Sequence, residues 1–251
     1  PSLQETHDLI HEVLGEAEQV VMGKRPILDL CAVGILAGGN ILFEDNPGLA
    51  KTLLANTFAQ ALGINFKRVQ FTPDLLPADI TGIYIWNQKD QKFQFRKGPL
   101  FCNILLADEI NRAPPKTQAA LLEAMQEHQV TIEGDTHKLP KPFVTLATQN
   151  PIESEGTYPL PDAQLDRFMM KLSVGYPGRP IERAILVKRK QRGKDDHSIK
   201  AITSPEKLAE MQQSLEKVGL DDSIIEYIVE IVTRTREDPR VRVGSSPRGA
   251  Q

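Results

Sequence analysis

Ile104-Leu105-Leu106-Ala107-Asp108-Glu109 is an apolar run that stops on two adjacent carboxylates. It has the length of a buried strand, and at the C-terminal end of a parallel strand such residues face a ligand crevice. There Asp108 would hold the shell of a divalent cation, and Glu109 would orient and deprotonate an attacking water. Alone, the run fits equally a strand entering an acidic loop. About 55 residues upstream stands Glu44-Asp45-Asn46-Pro47-Gly48-Leu49-Ala50-Lys51-Thr52, between the short apolar run Ile41-Leu42-Phe43 and helical character from Leu53 to Leu62. A phosphate-binding loop needs a tight turn of inward N–H groups, a Lys for the β/γ-phosphates, a hydroxyl for Mg²⁺ and a helix N-terminus below. Lys51-Thr52 falls where those groups belong. The strict pattern G-x-x-x-x-G-K-[ST] fails at Asp45 and at Ala50. Ala50 is compatible if it already has helical dihedrals, and Asp45 if its carboxylate points away from the phosphates. By itself this segment also fits an ordinary strand–helix turn ending in Lys-Thr. Both motifs in this order, each on the required element, point to a nucleotide-binding α/β fold.

Further along, Phe143 to Ala147 reads as another strand, running into Thr148-Gln149-Asn150-Pro151. Asn150 would help Glu109 hold the water, although Asn-Pro alone also marks a plain turn. Upstream, Leu9, Ile10, Val13, Leu14, Ala17, Val20 and Val21 recur at helical spacing, and a second helix covers Ile27 to Leu36 before Gly38-Gly39. Phe66 to Phe71 predicts a strand, and Ile83–Trp86 with Lys92–Phe95 a hairpin, in which Trp86 and the nearby Phe residues pack across strands instead of stacking on bases. Pro114-Pro115 opens a helix whose buried face holds Leu121, Leu122 and Met125, and a second hairpin turns at Glu133-Gly134-Asp135. Met169 to Val174 is a candidate fifth strand. Strands separated by helices imply a parallel sheet covered on both faces. After Tyr176-Pro177-Gly178 only helices are predicted: Pro180 to Arg192, Pro205 to Val218 with Ser204 as N-cap, and Ser223 to Arg236 after Asp222. The expected organisation is an α/β nucleotide-binding domain over residues 1–178, with hairpin insertions near 83–97 and 130–139, then an incomplete helical lid over 179–251.

Composition removes several other classes. The 251 residues carry 30 Lys+Arg against 33 Asp+Glu, a net charge of −3, which argues against a nucleic-acid binder that uses its whole surface. Apolar content is too high and net charge too low for disorder. Cys31 and Cys102 are far apart and fit neither a disulfide scaffold nor a metal site, so a reducing compartment, the cytoplasm, is expected. The longest uncharged run, Leu30 to Phe43, falls short of the roughly 20 residues of a membrane span. No charged-then-apolar leader opens the chain, and a start at Pro1 reads as a trimmed one. His7, His11, His128, His137 and His197 have no metal spacing. Gly178 to Lys200 holds eight Lys/Arg against Glu182, Asp195 and Asp196, usually a solvated helix face and alternatively a phosphate-backbone or subunit contact.

With these motifs in hand, the chain resembles the AAA+ ATPases and, within them, the MoxR family. The resemblance runs from about Val20 onward, through Val21-Met22-Gly23-Lys24, Glu44 to Thr52, Gln70 to Gly82 and Gly98-Pro99-Leu100-Phe101. It continues through Ala107 to Gln118, Ala147 to Pro151, Glu155 to Pro161, Gln164-Leu165-Asp166-Arg167-Phe168 and Ser246-Pro247-Arg248. In that family Asp at the first loop glycine and Ala before the Lys are familiar variants. The resemblance implies an ATP hydrolase that uses ATP and Mg²⁺. Met22 and Gly23 would lie beside the adenine; Asn46, Pro47, Gly48, Leu49, Ala50, Lys51, Thr52 and Leu53 would form the phosphate loop and helix start. Thr52 and Asp108 would hold the metal, Glu109 would activate water, and Asn150 would be sensor 1. Arg167 would be the arginine finger reaching a neighbour's γ-phosphate, and Arg248 sensor 2. The implied assembly is a homo-oligomeric ring, a hexamer, remodelling a client or adaptor protein, often one with a von Willebrand factor A domain, without membrane insertion.

Two rival functions follow from the same residues. A nucleic-acid motor would use the hairpin that carries Lys89, Lys92, Arg96 and Lys97, but the second hairpin is nearly neutral, thin for a strand-tracking pore. A nucleotide-gated binding module with little hydrolysis is opposed by an intact Glu109.

Overall fold

A computed structural model describes residues 1–45, 48–151, 156–193 and 197–250. The elements in chain order are α1 (Leu3–Val20), α2 (Arg25–Leu36), β1 (Ile41–Glu44), α3 (Lys51–Ala61), β2 (Phe66–Gln70) and α4 (Pro77–Thr81). Next come β3 (Gly82–Asn87), β4 (Lys92–Lys97), β5 (Ile104–Asp108), α5 (Pro115–Glu127), β6 (Gln129–Ile132), β7 (Asp135–Lys138) and β8 (Val144–Gln149). The last are α6 (Asp162–Leu165), β9 (Met170–Leu172), α7 (Arg179–Arg192), α8 (Pro205–Leu215) and α9 (Asp222–Glu237).

Five strands form a parallel sheet in the order β2-β5-β8-β1-β9. Its residues alternate between two apolar layers, as a pleated strand buried on both faces requires. Ile41, Phe43, Ile104, Leu106, Val144 and Leu146 face the layer built by α1, α2, α3 and α8. Leu42, Leu105, Ala107 and Ala147 face the layer that holds Ile80 of α4 and Leu121, Leu122 and Met125 of α5. Parallel pairing brings all the strand C-termini to one edge, where Gln70 lies opposite Asp108 and Glu44 opposite Gln149. A ligand crevice belongs at that edge.

Local signals explain most boundaries. Ser2 and Glu5 close a capping box on α1, which satisfies two orphan donors of its first turn. Ser204 caps α8 by accepting from the N–H of Lys207. α3 starts at Lys51, two residues before the apolar periodicity, directly after Ala50, its N-cap. The cap of α9 is Asp221, and Asp222 is already helical; the carboxylate of Asp221 accepts from the N–H of Ser223, a bond Asp222 does not make. The two hairpins are β3–β4 and β6–β7. Trp86 packs edge-on against Phe93 across the first, with ring centroids 5.2 Å apart. The Tyr84 hydroxyl donates to Asp135 at 2.7 Å and so joins the hairpins to each other.

After β9 the described elements are helical. α8 buries Leu208 and Met211 against the sheet's first layer, and Gln212 donates to the Ile35 carbonyl of α2 at 2.8 Å. In α9 only Val232 is buried, while Ile224, Ile225, Tyr227, Val229 and Ile231 are exposed. No described helix is long and apolar enough to cross a membrane.

Candidate functional site

β1 carries three buried apolar residues into Glu44 and Asp45, and the chain returns through Gly48-Leu49-Ala50 into α3. Asn46 and Pro47 lie outside the described residues. The return passes over a cleft of about 540 Å³ that Gly48, Leu49, Ala50, Lys51, Thr52 and Leu53 line from one side. Asp108, Glu109, Thr148 and Asn150, at the ends of β5 and β8, line the other. An α-helix N-terminus, a buried lysine and two carboxylates thus share one opening, with partial positive charge at α3 and negative charge opposite.

Ala50 corrects one expectation. It has φ 58° and ψ 21°, left-handed and not helical dihedrals. The turn that glycine makes without cost in a strict phosphate loop is made here by an alanine, at some strain. Asp45 also lines the cleft, and its carboxylate accepts from the Ser173 hydroxyl at 2.6 Å and the Val174 N–H at 2.5 Å. Lys51 is 9% exposed, and its ammonium lies 3.3 Å from the Asp45 carbonyl.

The acidic pair is held from neighbouring strands. Asp108 accepts from the Thr148 hydroxyl at 2.6 Å and pairs with the Arg68 guanidinium at 2.6 Å. Glu109, at φ 55°, accepts from the Gln70 amide at 2.7 Å and from Arg112 at 3.1 Å. Its own N–H donates to the Thr148 hydroxyl at 2.8 Å, so Thr148 ties both acidic residues to β8. Asn150 is buried, and its carbonyl accepts from Asn111 at 3.4 Å. Arg68, Gln70, Thr148 and Gln149 line the cleft without having been singled out individually from the sequence. Their signal is the parallel register, which sets Gln70 beside Asp108 and brings β8 against β5, and that register exists only in three dimensions.

Below the loop, Glu44 accepts from Lys171 and Gln149, each at 2.7 Å, and so bridges β9 and β8 across β1. The Lys171 ammonium, ahead of the Gln149 amide, holds its carboxyl below the usual carboxylate range despite partial burial. Cys31 and Cys102 are free and buried, and burial pushes both thiols up to about 12, far from thiolate chemistry. Among the described residues no cluster of three or more His, Cys, Asp or Glu has metal-site geometry.

Four of the expected residues lie elsewhere. Met22 and Gly23 do not line this cleft; Gly23, at φ +67°, packs so closely on α7 that a Cβ there would stand 2.8 Å from Ile181. Arg167 and Arg248 do not line it either. Both border a second cavity of about 750 Å³, with Gly38, Gly39 and Asn40 ahead of β1 and Phe168 and Met169 ahead of β9. This is the opposite end of the strands. The exposed guanidinium of Arg248 reaches the Asp166 carbonyl at 3.5 Å, and the Asp166 carboxylate accepts from Ser246 at 2.8 Å.

The chain is similar to known proteins over nearly its whole length. Residues 40–170 match the model of the ATPase family associated with various cellular activities (AAA). The chain is 47% identical over 247 residues to the uncharacterized protein YeaC of Bacillus subtilis, covering 98% of the chain and 77% of YeaC. It is 42% identical over 255 residues to the chaperone MoxR1 of Mycobacterium tuberculosis, covering 98% of the chain and 67% of that relative. The crystal structure of a protein from Cytophaga hutchinsonii assigned as an ATPase superposes with a TM-score of 0.90 at 43% identity, over 99% of this chain and 78% of the other.

Proposed function

This chain belongs to the MoxR family of AAA ATPases and hydrolyses ATP, and on that premise we propose how its residues divide the work. The loop N–H groups from Gly48 to Thr52 and the Lys51 ammonium bind the β- and γ-phosphates, with α3 beneath them. Met22 and Gly23 lie toward the adenine, where the 21–24 turn meets α7. Oxygen donors suit Mg²⁺, and the Thr52 hydroxyl and Asp108 carboxylate that open on the same cleft are the residues to hold it. Mg²⁺ held there would offset the charge of the phosphates. Glu109 takes a proton from the attacking water as the water oxygen bonds to the γ-phosphorus and the bond from that phosphorus to the β,γ-bridging oxygen breaks, so that ADP and phosphate leave; Asn150 helps fix that water.

Arg167 and Arg248 act on a neighbouring subunit. The observation that carries this reading is their common cavity at the far end of the strands from their own phosphate cleft. An arginine finger is worth roughly 10³ to 10⁵ in phosphoryl-transfer rate, so the active form is a homo-oligomeric ring, a hexamer. Residues 1–178 form the nucleotide-binding domain and those from 179 onward its lid. The ring remodels or matures a client protein, in keeping with the chaperone name of the Mycobacterium relative, and an adaptor with a von Willebrand factor A domain fits that role. The two buried, free cysteines agree with work in the reducing cytoplasm.

The test is the ATPase rate per chain, followed with sedimentation as protein concentration is raised. A rate that climbs as rings form supports the shared site. An undiminished rate in a chain that sediments as a monomer rules it out.

A further inference from the structure

Asp45 stands where a strict phosphate loop has its first glycine, and nothing in the nucleotide reading explains a carboxylate there. We propose that Asp45 is a positioning residue that fastens the phosphate loop to the connector 173–176, and so makes placement of the C-terminal helices depend on loop occupancy. The proposal rests on the nucleotide-site reading and assigns that site a link to the rest of the chain.

The backbone at Asp45 does not need glycine, because it is not among the residues with positive φ. The side chain is therefore the part of this position to be explained. It is 7% exposed, and each carboxylate oxygen has a partner on the connector: Oδ1 the hydroxyl of Ser173, Oδ2 the N–H of Val174. Such bonds to an ionised acceptor are among the stronger hydrogen bonds, and removing their partners leaves a buried charge exposed to a large desolvation penalty. The register of the sheet creates the contact. β1 and β9 run parallel with Phe43 opposite Leu172, so two residues further on Asp45 arrives beside Val174. From its carbonyl the same residue meets the Lys51 ammonium. One residue thus touches both the phosphate-binding lysine and the connector.

A second grip reaches the same connector. The Lys24 ammonium donates to the carbonyls of Val174, Gly175 and Tyr176 at 2.7, 3.0 and 3.1 Å, which uses all three of its donors. Lys24 follows Gly23, whose close approach to Ile181 joins that turn to the first turn of α7. The connector is therefore held between the phosphate loop and the 21–24 turn, immediately ahead of α7. Changes in the loop reach the helices through a short, fully bonded path.

Hydrogen exchange at residues 173–178, with and without saturating Mg–ADP, tests the proposal. In the parent chain we expect Mg–ADP to slow exchange there by about tenfold, the scale of a hydrogen bond made more durable. Asp45→Gly should bind Mg–ADP but lose that slowing, whereas Asp45→Asn, which keeps one acceptor oxygen, should retain part of it. A merely structural bond would instead speed exchange equally with and without nucleotide, and that result overturns the proposal. Should Asp45→Gly fail to fold, Ser173→Ala removes one of the two bonds; an Mg–ADP effect as large as the parent's would again overturn it. Failure of the parent to bind Mg–ADP sinks the nucleotide-site reading as well. Binding without any slowing at 173–178 sinks this inference alone.

Discussion

The two cavities of this molecule lie at opposite ends of the same parallel strands and are built on opposite terms. The phosphate cleft gathers residues from α3, β2, β5 and β8, and nearly every charged group in it has a partner inside the chain. The far cavity gathers Arg167 and Arg248 from the segments beside β9 and the chain's last turn, where Arg248 is exposed and only lightly tethered. The first is preorganised for a ligand of its own. The second presents an exposed guanidinium, the feature on which the proposed role toward another copy rests. On the reading proposed above, one chain carries two half-sites facing different ways, and three substitutions probe whether they are coupled halves of one machine.

Lys51→Ala carries the largest expected effect. It removes the one full positive charge among the groups that line the loop side of the cleft, and the remaining N–H groups cannot replace it. ATP binding should disappear in a fluorescent-nucleotide titration. Near-parent affinity would break the comparison at its root, since the cleft would then not be a phosphate site.

Arg167→Ala comes next, and it separates the cavities directly. Binding should stay near the parent value, because the residue lies outside the chain's own cleft, while turnover falls by roughly 10³ or more. Mixing it with Glu109→Gln sharpens the point: some interfaces in mixed rings pair a native finger with a native base, so turnover should exceed the mean of the two pure variants. Mixed rings that show no recovery would leave Arg167 as a local structural residue. Glu109→Gln alone keeps the acceptor that Gln70 and Arg112 use but cannot take a proton. Its turnover should drop by about 10² with Mg–ATP binding within a few-fold of the parent. Binding and turnover that fall together would make Glu109 a ligand or a structural group.

Much of this contrast was legible before any coordinates. The order of the longer strands and helices, both hairpins, and the placing of Lys51 at the start of a helix and of Asp108, Glu109 and Asn150 at strand ends follow from local pattern, since each depends on a few consecutive residues, whereas the short helices α4 and α6 carried no such signal. What could not be read is set by register. Arg68 against Asp108, Gln70 against Glu109, and Asp45 against Ser173 join residues separated by 40, 39 and 128 positions. No periodicity within one strand carries that information. Ala50 failed for a different reason: its motif position was right, but the hand of its turn depends on how the loop re-enters α3.

The smallest expected effect returns to that alanine and asks whether the cleft carries strain that the far cavity does not. Ala50 and Glu109 both line the cleft with positive φ, whereas the other described non-glycine residues of that kind, Gln91, His128 and Glu133, lie outside it. A left-handed alanine costs about 1 kcal/mol or somewhat more. Glycine would remove that cost but would give back about 0.5–1 kcal/mol through the freedom it adds to the unfolded chain. Two local facts tilt the balance toward glycine. Ala50 is exposed, so its methyl group leaves no cavity, and it occupies the N-cap of α3, where glycine is preferred to alanine. Ala50→Gly should therefore stabilise the chain by about 0.5 kcal/mol, a rise in Tm of about 1–2 °C for a protein of this size. Nucleotide affinity should change less than a few-fold, because the inward N–H groups keep their turn. A lowered Tm would mean that the left-handed turn is held without strain by contacts the methyl group makes, and the difference between the two cavities would then rest on charge alone.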